Sequence, residues 1–216
     1  MGRRATPALL SSFLSVEGAL YAMFLVLDLV GQGSRAVPLK YGGVLLCLAF
    51  SLLGTDRLVP LALALTAGAD WFLLVRNDHY ALGIALFLCV QAVYALRLCA
   101  GGAGSAFVLR AALALGAGLG AWAVGLTALV ELLAALYFSQ LLSNALLAWT
   151  LRGERRRAFA LGLTLFVGCD VCVGLFNVLP PSSPRHFAVS VGMWLFYLPS
   201  QVLIALSTLP EKERSS

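Results

Sequence analysis

The strongest constraint on this chain is a run of about 20 apolar residues that recurs along its whole length. Each run is long enough to cross the ~30 Å hydrocarbon core of a bilayer as a helix rising ~1.5 Å per residue. Composition agrees. Hydrophobic residues make up 61% of the 216 positions and charged residues 12%, about half the charge of a soluble domain. A soluble domain needs charge to cover its surface, and a lipid-facing surface does not. The expected fold is an all-α membrane protein, a bundle of about eight transmembrane helices forming a single polytopic domain.

Polar and turn residues set the breaks: Gly31-Gln32-Gly33-Ser34, Asp56-Arg57, Arg76-Asn77-Asp78-His79, Gly101-Gly102, Arg152 to Arg157, and Pro180-Pro181-Ser182-Ser183-Pro184. They give spans at about 9–31, 38–54, 58–75, 80–99, 105–123, 126–151, 157–178 and 186–208. The weakest break, Trp122 to Thr127, carries no charge, and seven spans remain if it is one bent helix. The first run follows Arg3 and Arg4 as a signal peptide would. It is too long and contains Glu17 and Asp28, so it reads as a retained helix.

With eight spans both termini share one side. That side holds Arg3, Arg4, Arg57, Arg97, Arg152, Arg155, Arg156, Arg157, Lys212 and Arg214, against Arg35, Arg76 and Arg185 on the other. The bias predicts a multi-pass cell-membrane protein with both termini cytoplasmic. The net charge of +5 follows from it and is not read as nucleic-acid binding. Arg110, one turn inside span five, is expected to snorkel to the cytoplasmic side. Gly116 and Gly120 form a small-x-x-x-small helix-packing pattern. Cys169 and Cys172 have C-x-x-C spacing without a second pair, and read as small buried hydrophobes.

Spans three and seven match. Gly68-Ala69-Asp70 has Asn77 seven residues after the aspartate, and Gly168-Cys169-Asp170 has Asn177 at the same distance. The next spans hold Gln91 and Gln201. The match suggests two parallel four-helix repeats about an axis along the membrane normal, with Asp70 and Asp170 facing each other.

A charge in hydrocarbon costs ~2.5–3.5 kcal/mol on insertion scales, and persists when paired, wet or used. Glu17, Asp28, Lys40, Asp70, Glu131 and Asp170 are the candidates. Asp28 can be solvated at a helix end, Lys40 can snorkel or pair with an aspartate, and Glu131 can be a structural hydrogen-bonding group. Asp70 and Asp170 are too short to snorkel. They lie about 8 and 12 Å from the outer ends of their spans at ~1.5 Å per residue. Two carboxyls facing each other in low dielectric do not ionise together, so one can act as acid and the other as base or charge stabiliser. Gln91, Tyr94, Gln140, Asn144, Tyr197 and Gln201 can orient water or a lipid head group, or simply bond helix to helix. His79 and His186 open spans four and eight at the outer face. A two-His, two-Asp zinc site is thinly supported, and no metal or cofactor is expected. No Ser-His-Asp order or phosphate-binding loop is present.

Four patches resemble the YhhN-type lysoplasmalogenase-like membrane family: Lys40 with Val44-Leu45-Leu46-Cys47-Leu48, Ala67-Gly68-Ala69-Asp70, Leu165-Phe166-Val167-Gly168-Cys169-Asp170, and Tyr197-Leu198-Pro199-Ser200-Gln201 running on to Ser207. Departures from the family pattern stand at Ala69, at Gln91 and after Lys40. The resemblance implies an eight-helix fold and hydrolysis of the vinyl ether bond of a lysoplasmalogen, a lysophospholipid-like substrate, to a fatty aldehyde and a glycerophospho-alcohol. Asp70 and Asp170 would be catalytic, and Lys40, Gln91, Tyr94, Tyr197 and Gln201 would bind substrate. Two other readings stay open: a non-catalytic lipid-binding protein of the same fold, and a small ion-coupled transporter.

Overall fold

The computed structural model describes residues 6–103 and 106–210. Arg3, Arg4, Lys212 and Arg214, which the orientation argument uses, lie outside them. Among the described residues the chain forms eight α-helices and no strand. They are α1 Pro7–Leu29, α2 Gly33–Ser51, α3 Leu58–Asp70, α4 Tyr80–Ala100, α5 Phe107–Ala123, α6 Leu129–Ala148, α7 Glu154–Val178 and α8 Pro184–Leu206. Six of them are long and apolar enough to cross a membrane, α3 only together with the turn that continues it to Arg76; α2 and α5 fall short. Helix α5 has 17 residues, and α2 carries Arg35, Lys40 and an internal Pro38. The break between α5 and α6 is real, with Gly125 at φ +80°, so the chain makes eight helices and not seven.

Local chemistry sets the ends. Thr6 accepts a hydrogen bond from the Leu9 amide ahead of Pro7, and Ser183 does the same for Arg185 ahead of Pro184. These are side-chain caps followed by a proline in the first turn. Glu131, a candidate for intramembrane chemistry on sequence, is a cap as well: its Oε2 accepts from the Ala128 amide at 2.9 Å. Helix α3 ends differently. From Trp71 to Arg76 the backbone widens into a π-helix, a local insertion that is common at functional sites. Asp70 is the last residue before it.

The helices close a ring in the order α3, α4, α6, α7, α8, α2. Helix α1 packs outside it on α2 and α8, and α5 packs on α6 alone. Adding four to each helix number maps most neighbours onto neighbours: α1–α2 onto α5–α6, α2–α3 onto α6–α7, α3–α4 onto α7–α8, and α2–α8 onto α6–α4. That is the contact pattern of two parallel four-helix repeats. The contacts of α8 with α1 and α3 have no counterparts, so the halves are related but unequal. Small residues let the ring tighten. A Cβ on Gly162 would stand 2.8 Å from Ile204 and 3.0 Å from the Ser200 carbonyl. Gly116 and Gly120 face open space instead, so their spacing makes no packing contact within the chain. Large apolar side chains such as Leu29, Val108, Leu115 and Trp122 point outward, as a lipid-facing surface requires.

Candidate active site

Asp70 and Asp170 come together in the ring. They sit on α3 and α7, opposite members of the six, and lie close enough to interact electrostatically. At ~1.5 Å per residue Asp70 is about 9 Å from the C-terminal end of the π-helical turn, and Asp170 about 12 Å from the C-terminal end of α7.

Their partners differ. The Tyr197 hydroxyl on α8 donates to Asp70 Oδ2 at 2.6 Å, within the short range of a hydrogen bond to an ionised oxygen. Asp70 is 5% exposed, so this bond replaces the water it has lost. Asp170 has the Tyr137 phenol on α6 beside it within weak hydrogen-bonding reach. This is a looser contact than that of Tyr197 with Asp70, since Asp170 Oδ2 and Tyr137 Oη are buried without a well-formed hydrogen bond. Tyrosine side chains lean toward the N-terminus of their helix; α6 and α8 both start at the aspartate end, so both phenols are tipped toward it. The rings of Tyr197 and Phe166 meet edge to face at 5.5 Å, and Phe87 packs on Phe166 and Tyr137. The pair therefore lies under an aromatic lining.

Lys40 does not reach this pair. Its Nζ lies 2.9 Å from Asp28 Oδ1 and 2.8 Å from Oδ2, and 4.3 Å from the centre of the Trp194 ring. Trp194 in turn packs edge-on against Tyr197 at 5.5 Å. Lys40 thus neither snorkels nor pairs with a central aspartate. It joins α2 to α1 and touches the site through one aromatic layer.

Gln91 and Tyr94 face elsewhere in the ring. Asn144 Nδ2 donates to both the backbone carbonyl and Oε1 of Gln91, each at 2.9 Å. Arg110 turns inward rather than snorkelling, donating to Asn144 at 2.7 Å and Gln140 at 3.4 Å. These amides form one polar patch binding α4, α5 and α6. Tyr94 packs edge-on to Phe159 at 5.2 Å, with its hydroxyl buried and unpartnered. Gln201 is fully buried, and its Oε1 has no partner. Glu17, deeper on α1, accepts a hydrogen bond from the Cys47 thiol at 3.3 Å. Cys169 and Cys172 form no disulfide. His79 and His186 stand at the N-terminal ends of α4 and α8, packed on Phe72 and Phe176. At the 77–79 turn Arg76 donates to both oxygens of Asp78, from Nε to Oδ1 at 3.2 Å and from Nη2 to Oδ2 at 2.9 Å, which holds that carboxyl below its usual range.

Tyr137 was not singled out on sequence, nor was the pairing of Lys40 with Asp28. Tyr137 lies eight residues into its helix, as Asp170 lies eight from the end of its own. Because the helices run in opposite directions, that equal depth was a readable signal. Residues 36–208 match the YhhN family model, so the chain belongs to the YhhN family. The match spans α2 to α8 and leaves α1 outside it. No curated protein and no solved structure matches the chain.

Proposed function

We propose that this member of the YhhN family is a membrane-embedded hydrolase that cleaves the vinyl ether bond of a lysoplasmalogen. The observation that carries the reading is the central pair of buried carboxyls with unequal partners. A vinyl ether is cleaved by adding a proton to its β-carbon, which leaves an oxocarbenium ion for water to attack. The chemistry needs one carboxyl that arrives with a proton and one that arrives without it.

Asp170 fills the first role. The Tyr137 phenol beside it makes a looser contact than the Tyr197 hydroxyl makes with Asp70, so of the two carboxyls Asp170 is the one less well supported as an anion and holds the proton. It protonates the β-carbon, and the ether oxygen and α-carbon share the positive charge. Asp70 fills the second role. With the Tyr197 hydroxyl on one oxygen it stays ionised, stabilises the cation, and takes a proton from the water that attacks the α-carbon. The hemiacetal then breaks its C–O bond: the departing alcohol oxygen takes the proton held by Asp70 and the hemiacetal hydroxyl gives its proton to Asp170, which releases a fatty aldehyde and a glycerophospho-alcohol and resets both carboxyls. One water is consumed and the proton balance closes. Depth supports this assignment. The vinyl ether of a lysolipid lies directly beneath its head group, and the carboxyls lie about 9–12 Å below the helix ends at ~1.5 Å per residue. The outer rim then holds the head group, with Lys40 as the nearest buried cation on the α2 side.

The test is aldehyde release from lysoplasmalogen by the purified protein in detergent, with Asp70→Asn and Asp170→Asn beside it. Release by the wild type, lost in both folded variants, supports the reading. No aldehyde from the wild type with any head group sinks it. Retained lipid binding in that case assigns a non-catalytic lipid-binding role, and ion-dependent uptake in proteoliposomes assigns a carrier.

A further inference from the structure

The end of the bundle opposite the aspartates carries a second feature. Helices α2, α4, α6 and α8 end there, and α3 and α7 begin there. At this mouth a cavity of about 460 Å³ is lined by residues that include Asp56, Arg97, Arg152, Arg155, Arg156 and Thr208. Its volume is that of a small-ligand site.

Among the described residues the charges in it are not balanced. Arg97 Nε donates to Asp56 Oδ2, and Arg97 Nη2 donates to the Ser207 carbonyl at 3.1 Å. The guanidinium also lies 4.1 Å over the Phe159 ring. This pair is spent on structure. Arg156 uses Nη1 on the Gly101 carbonyl at 2.9 Å, which leaves the rest of its fork. Arg152 and Arg155 make no ion pair or hydrogen bond among the described residues. Nearby hydroxyls cannot substitute as donors, because Ser207 and Thr208 donate to their own helix at 2.6 and 2.7 Å. An excess of arginine on one side is ordinary in membrane proteins. That bias requires charge in loops; it does not require several guanidiniums to converge on one cavity. The start of α7 adds potential of the same sign, since Gly153 offers no side-chain cap, with Glu154 partly offsetting it.

We propose that this mouth binds a phosphate ester through Arg152, Arg155 and Arg156. A guanidinium fork matches the spacing of phosphate oxygens. The volume exceeds that of a bare phosphate and suits a phosphoglycerol-sized group. The ester comes either from an anionic lipid in the adjoining leaflet or from solution. The site stands apart from the aspartate pair and does not depend on the hydrolase reading.

The experiment is a melting curve of the purified full-length protein in neutral detergent, titrated with dihexanoyl phosphatidylglycerol, dihexanoyl phosphatidylcholine or glycerol phosphate. A ligand that binds the folded state raises the melting temperature with a midpoint set by its affinity. Stabilisation by phosphatidylglycerol is expected, with the midpoint moved at least about tenfold upward in Arg152→Gln/Arg155→Gln. Arg185→Gln, at the opposite end, should leave it in place. Stabilisation by phosphatidylglycerol alone assigns the lipid source, and equal stabilisation by glycerol phosphate assigns the soluble one. If the double variant does not fold, Arg155→Gln alone takes its place. An unchanged midpoint in the variant, or no stabilisation beyond phosphatidylcholine, overturns the proposal.

Discussion

Asp70 and Asp170 stand in nearly the same sequence and in different chemistry. Each follows a glycine and a small residue, and each occupies the same helix of its half. Yet Asp70 abuts a π-helical turn and receives a short hydrogen bond from a phenol on α8, whereas Asp170 lies within the run of α7 with only a loose contact from the Tyr137 phenol on α6. The source of the difference is one helix further on. Aligning the halves on Gln91 and Gln201 puts Phe87 where Tyr197 stands, four residues earlier in each helix. One half therefore supplies a hydroxyl and the other only a ring. A repeat that kept both aspartates and changed one neighbour has made two unlike carboxyls from one motif, which is how a paired site divides acid from base.

Removing a carboxyl should have the largest effect. Asp170→Asn cannot deliver a proton, and kcat for aldehyde release should fall on the order of 10³-fold with the protein still folded. A loss under tenfold would move the acid elsewhere, with Glu17 next to examine. The ion pair of the first half comes second. Lys40 and Asp28 are both largely buried, and among the described residues the second half has no matching pair. Lys40→Met strands one charge and should cost about 3–5 kcal/mol, read as a lower melting temperature. Lys40→Met with Asp28→Leu removes both charges and should recover much of that loss. If the double variant is no better than the single, the attraction between the charges is not what holds α1 on the ring.

Hydropathy and turn residues made the helices legible, and the matching aspartates made the carboxyl pair inside the ring legible, because burying a short charged side chain is costly enough to be informative. What stayed hidden depended on rotation about helix axes. Gln91 and Tyr94 are close to Asp70 in the order of elements, but their side chains are spent on Asn144 and on Phe159 packing. Arg110 had a free route to the membrane surface by length, and takes amides inside the bundle instead. Gly116 and Gly120 carry a packing pattern with no neighbour to pack on. In each case the residue type was right for the role, and the neighbouring helix decided whether it was filled.

The smaller effects bear directly on the asymmetry. Tyr197→Phe removes the donor from Asp70 and leaves the ring packing on Phe166 and Trp194 intact. The carboxylate loses a charge-assisted bond worth about 1.5–3 kcal/mol, so kcat should drop by about ten- to a hundredfold with the melting temperature little changed. Phe87→Tyr is the converse. It adds a hydroxyl to the cluster of Phe166 and Tyr137 beside Asp170. If unequal partners divide the two roles, making them alike should slow the reaction, by about threefold to tenfold given that a net neutral hydrogen bond is worth about 0.5–1.5 kcal/mol. Combining it with Tyr197→Phe exchanges the phenol between the halves. Under this assignment the exchange should restore more activity than Tyr197→Phe alone retains, because one carboxyl again has a donor and the other does not. Equal or lower activity in the double variant would mean that position in the ring, and not the phenol, distinguishes the two aspartates.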